Sequence, residues 1–127
     1  MNSHNSLYPL EWIAFADRDW RRTQVLLNED DAEGAAFHLQ QALEKYLKGF
    51  LLAKGWRLKK THELETLLAE AVKYDSSLKS FQQLCEKIST YYFTERYPQS
   101  LDSGTTTEEV EQDMSEADQL RKILSKL

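Results

Sequence analysis

At 127 residues the chain has the length of one ordinary domain, enough to bury a continuous core. Its 41% hydrophobic and 29% charged residues are the balance of a globular protein, and four Gly with two Pro disfavour a turn-rich β fold. A net charge of −5 argues against wholesale binding of duplex nucleic acid, and no apolar run approaches the ~20 residues of a membrane span.

The opening residues Met1-Asn2-Ser3-His4-Asn5-Ser6 lack the basic-then-apolar pattern of a signal peptide, so a cytoplasmic location is expected. A first helix is predicted from about Pro9 to Leu27, since Pro suits a first helical turn. Trp12, Phe15, Ala16, Trp20 or Thr23, and Leu26-Leu27 form its apolar stripe, with Asp17, Arg18, Arg21 and Arg22 facing water. A polar turn follows at Asn28–Asp31.

The second predicted helix, about Asp31 to Lys54, is the most apolar segment and therefore the centre of a bundle. Gly55 is placed to end it in a left-handed cap. Its polar residues His38, Gln41, Lys45 and Lys48 fall at steps of three and four and make one narrow stripe. Between Lys45 and Lys60 every charged residue is a cation, whereas acids gather at Glu29–Asp31 and from Glu108 to Asp118. An anionic ligand should therefore go to the middle of the chain. The plain alternative for the stripe is a solvated helix face.

Trp56–Lys60 reads as a short basic connector, and Thr61 as the N-cap of a third helix burying Leu64, Leu67, Leu68 and Val72. Lys59-Lys60-Thr61-His62 at a helix start suits phosphate, or is an ordinary cap beside a basic turn. Ser76 or Ser77 should cap a fourth helix carrying Leu78, Phe81, Leu84, Cys85, Ile88, Tyr91 and Tyr92, and ending before Pro98. Cys85, the lone cysteine, allows no internal disulfide and reads as a small buried hydrophobe. Tyr91-Tyr92 with Arg96-Tyr97-Pro98 can stack a base and hold a phosphate, or can be core tyrosines followed by a stop signal. After a polar loop at Gln99–Thr105, Thr106 with Glu109 offers a capping box for a fifth helix burying Val110, Met114, Ala117, Leu120 and Leu124. The expected architecture is all-α, an up-and-down antiparallel bundle of about five helices forming a single domain over 1–127, with its core at about 9–126. One Cys and three scattered His supply no structural zinc site, and no metal or cofactor is expected.

The run from Phe37 to Lys48 (Phe-His-Leu-Gln-Gln-Ala-Leu-Glu-Lys-Tyr-Leu-Lys) resembles the second helix of the HEPN family, the higher eukaryotes and prokaryotes nucleotide-binding domains. Lys60-Thr61-His62-Glu63-Leu64 is similar to that family's Lys-Thr-His motif, and Tyr91-Tyr92 followed by Glu95-Arg96-Tyr97-Pro98 to its Arg-Tyr-Pro segment. The three occur in the family's order, over nearly the whole chain. The resemblance implies a helical bundle, commonly a homodimer, of the type associated with a minimal nucleotidyltransferase in toxin–antitoxin or defence pairs. Many members of the family that the chain resembles are metal-independent ribonucleases, whose motif is an Arg followed within a few residues by His. Arg96 matches the Arg, but no His occurs after His62. Arg stays protonated and is a poor base, whereas His can both take and give a proton near neutral pH. The resemblance thus favours binding of nucleotide or RNA phosphate through Arg96, Tyr97, Lys60 and His62, with Lys45, Lys48, His38 and Tyr92 in support. A ribonuclease using Arg96 with another base, and a ligand-free helical interaction module, are the alternatives. Trp12, Trp20, Trp56, Tyr8 and Phe15 exceed what a core of this length needs, which points to a homodimer.

Overall fold

The computed structural model describes residues 7–93 and 104–127. Five α-helices, α1 (Pro9–Asn28), α2 (Ala32–Ala53), α3 (Leu64–Val72), α4 (Gln82–Ser89) and α5 (Thr107–Leu124), form an all-α antiparallel bundle with no strand among the described residues. Helix α2 lies at its centre and touches each of the other four. Its apolar positions explain the placement: Ala35, Leu39, Ala42, Leu43, Tyr46 and Leu47 are all fully buried, so one face alone could not serve it. Where α1 crosses α2, a Cβ on Gly49 would sit 2.9 Å from Ile13 Cδ1 and 3.1 Å from the Pro9 carbonyl. Glycine is what lets the two backbones come this close.

Chain reversals follow capping chemistry. Helix α2 ends in a Schellman motif, with Gly55 at φ +89° and the Trp56 N–H donating to the Leu51 carbonyl over 2.9 Å. Helix α1 ends in the same way, but Asp30 holds the left-handed position at φ 57°, and Asp31 then caps α2 by accepting from Gly34 N. Thr106 caps α5 by accepting from Glu109 N, as its sequence predicts.

Two elements depart from expectation. Helix α3 begins at Leu64 rather than directly after Thr61, whose hydroxyl accepts from Glu63 N two residues on. Ser89 on α4 takes over the capping role, accepting from Leu64 N over 3.1 Å. The fourth helix is divided: a 3₁₀ segment at Ser76–Phe81 precedes α4, and another at Thr90–Phe93 follows it. Asp75, not Ser76 or Ser77, is the cap, and it accepts from both the N–H and the hydroxyl of Ser77. Short polar side chains bonding to their own backbone, such as Ser80 to Ser77 O and Thr90 to Lys87 O, favour such tightened turns.

The aromatic residues divide between core and surface, with Phe15 and Trp56 half-buried. Trp12 and Trp20 are buried within this one chain, at 1% and 7% exposure, while Tyr8 is exposed. Cys85 is fully buried, and burial together with nearby Glu65 and Glu86 pushes its thiol up to about 12. Among the described residues no helix is long and apolar enough to cross a membrane.

Candidate functional site

The polar face of α2 is built around two buried carboxylates, each shared by a lysine and a histidine. Asp19 of α1 accepts from His38 Nδ1 over 2.9 Å and from Lys45 Nζ over 2.5 Å. Arg22, one turn further along α1, adds a contact to Asp19 at 3.2 Å. Glu44 accepts from His62 Nδ1 over 2.9 Å, and its other oxygen accepts from Lys48 Nζ over 2.9 Å. Gln40, one turn before Glu44, donates both to Glu44 Oε1 and to the His62 carbonyl. Gln41 in turn donates to Gln40 Oε1.

This arrangement has electrostatic consequences. Burial would raise the Asp19 carboxyl, but hydrogen bonds from His38 and Lys45 outweigh it and hold the group below its ordinary range. Lys48 is itself buried, with its ammonium over the Trp12 ring at 5.5 Å. The stripe read from sequence is therefore not uniformly solvated. His38, Gln41 and Lys45 are half-buried along it, whereas Lys48 points inward to neutralise Glu44.

Both histidines belong to a run of rings. His62 stacks on Tyr92, with centroids 4.3 Å apart and planes 19° from parallel. Tyr92 lies 6.4 Å from Phe37, and Phe37 meets His38 edge-on at 5.4 Å. Beside the stack is a cavity of about 270 Å³ lined by Lys60, Thr61, His62, Glu63, Ser89 and Tyr92. The structure thus brings Lys60, His62 and Tyr92 to one cavity and links them to His38 through Phe37. Lys45 and Lys48 act behind the histidines, through Asp19 and Glu44. Arg96 and Tyr97 lie outside the described residues.

Sequence reasoning missed Asp19, Glu44, Gln40, Phe37 and Ser89. One signal was present: Asp19 sits within the series Trp12, Ala16, Trp20 and Thr23, on the face of α1 that turns inward. A carboxylate on a buried stripe demands partners. A third buried carboxylate, Asp113, is held by Lys87 at 3.0 Å and Tyr91 at 2.7 Å, and burial with this contact raises the Tyr91 hydroxyl. Tyr91 is thus a core residue, while its neighbour Tyr92 faces the cavity. No group of three or more His, Cys, Asp or Glu among the described residues is arranged to hold a metal ion.

The crystal structure of TT1696 from Thermus thermophilus is similar to this one, with a TM-score of 0.78 and 24% sequence identity. The match covers 91% of this chain and 94% of that one, and at such identity the likeness is one of fold. A comparison with curated proteins gives no match. The HEPN domain profile matches residues 10–127, which takes in every helix described above except the first residue of α1. The chain belongs to the HEPN domain family.

Proposed function

We propose that this protein binds a nucleotide or the phosphate of RNA at the cavity beside the His62–Tyr92 stack, with Lys60 supplying positive charge. The observation that carries this reading is the stack itself, whose histidine is fixed from behind by buried Glu44. Aromatic faces hold nucleobases without regard to sequence, and a nearby ammonium favours phosphate. Family membership supports a nucleotide- or RNA-related role in general. Arg96 and Tyr97 follow Tyr92 closely in the chain and belong to the proposal as further phosphate contacts. So do a cytoplasmic homodimer and a nucleotidyltransferase-type partner in a toxin–antitoxin or defence pair. Calorimetric titration with AMP tests the site: Tyr92→Ala should weaken binding by about 1–3 kcal/mol, the scale of base stacking. Unchanged affinity in that variant would move the ligand elsewhere.

A second reading has one specific observation in its favour. A ribonuclease needs a group that transfers protons, and here His38 and His62 are each oriented by a buried acid, as imidazoles that handle protons commonly are. Cleavage of single-stranded RNA by the wild type that is lost in His62→Ala would establish it. Intact RNA under the same conditions leaves binding as the function.

A further inference from the structure

The way Glu44 holds His62 has a consequence for which bases the site accepts. Glu44 is 4% exposed and has each oxygen engaged, one by Lys48 and the other by His62 and Gln40. A carboxylate can only accept hydrogen bonds, so in the neutral imidazole the proton of the His62 ring sits on Nδ1. The parallel contact with Tyr92 fixes the plane of the ring. Nε2 is then the nitrogen left for a ligand, and it bonds to no described residue. The side chain is 48% exposed and lines the cavity, so that edge is within reach from solvent. At about 270 Å³ the cavity lies near the lower limit for small-molecule sites, room for one base with its sugar extending outward.

We propose that His62 Nε2 is a hydrogen-bond acceptor that reads the ligand's base, and that Glu44 is the positioning residue that makes it one. The site accordingly prefers bases that present an exocyclic amine, adenine or cytosine, over counterparts of the same shape that present a carbonyl. This inference rests on the nucleotide reading above. An amine donates to Nε2, whereas a carbonyl in the same place leaves two acceptors facing each other without a proton, and such a mismatch is costly when desolvated.

The test compares AMP with IMP, which differ in the C6 amine or carbonyl and in the N1 proton that IMP alone carries, by isothermal titration calorimetry on the full chain. Purine riboside monophosphate, which has neither the amine nor that proton, is the control and should bind like IMP. Wild type should bind AMP about tenfold more tightly, the scale of one hydrogen bond between partners that match. His62→Phe keeps a ring against Tyr92 but removes Nε2, and should bind the two equally. In Glu44→Gln, Lys48 takes the amide oxygen, so the amide N–H faces His62 Nδ1 and the ring proton moves to Nε2. The preference should then vanish or turn toward IMP, and the ¹⁵N resonances of His62 should report the exchanged tautomer. Equal binding of AMP and IMP by wild type overturns the proposal while leaving nucleotide binding intact. So does an AMP preference that survives in His62→Phe, which decides the matter even if Glu44→Gln fails to fold. Binding of neither by wild type overturns the nucleotide reading itself.

Discussion

His62 lies flat on Tyr92, ring over ring at 4.3 Å, although thirty positions separate them in the chain. The contact joins the loop before α3 to the 3₁₀ turn after α4, and the cavity forms along that seam. Its geometry depends on groups outside the cavity as well as in its wall. Glu44 and Gln40 hold the His62 side chain and carbonyl from α2, and Ser89 fixes the start of α3.

The Asp19 cluster should govern acid stability. Its folded carboxyl holds its proton less readily than in the unfolded chain, so its contribution is complete above the ordinary value of 3.8 and is lost as pH falls through the folded value. Asp19→Asn should cost about 2–4 kcal/mol at neutral pH, because Lys45 and His38 lose their shared partner. Urea unfolding at several pH values should show that gap narrowing from about pH 4 downward. A gap independent of pH would mean that Asp19 contributes by shape rather than charge.

Lys48 and Lys60 should behave oppositely. Lys48 is the buried counter-charge of Glu44, so Lys48→Ala should destabilise by about 2–4 kcal/mol. Lys60 is exposed, and Lys60→Ala should stay within about 0.5 kcal/mol while weakening an anionic ligand. Chemical denaturation of the two variants side by side checks this, and equal stabilities would contradict the assignment.

Asp30 occupies a left-handed turn position that a side chain makes costly. Asp30→Gly should therefore stabilise by about 0.5–1 kcal/mol, the Cβ strain being relieved in excess of the added chain entropy. A lowered thermal midpoint would indicate that the Asp30 side chain makes a favourable contribution of its own.

The bundle was legible in sequence because it depends on local rules. The three- and four-residue recurrence of α2, Gly55 as a left-handed cap and Thr106 as an N-cap each follow from a few neighbouring residues. The motif carrying His62 and the Tyr91-Tyr92 pair were legible too, through their resemblance to the HEPN family. What sequence spacing could not supply was partnership across the fold. Lys48 belongs to a polar-looking stripe, yet whether it meets solvent or Glu44 depends on how α1 and Trp12 close over it. Ser89 capping α3 is likewise a tertiary event, since donor and acceptor are 25 positions apart in the chain.

The central claim is that a nucleotide occupies the cavity beside the His62–Tyr92 stack. The most direct measurement is a titration of the ¹⁵N-labelled full chain with AMP, followed by amide chemical shifts. The account predicts saturable changes concentrated at Lys60–Glu63 and Ser89–Tyr92, spreading to Phe37 and His38 through the ring contacts. Changes centred instead on the groove between α4 and α5, around Gln83, Lys87 and Gln112, would contradict it, as would no change at all.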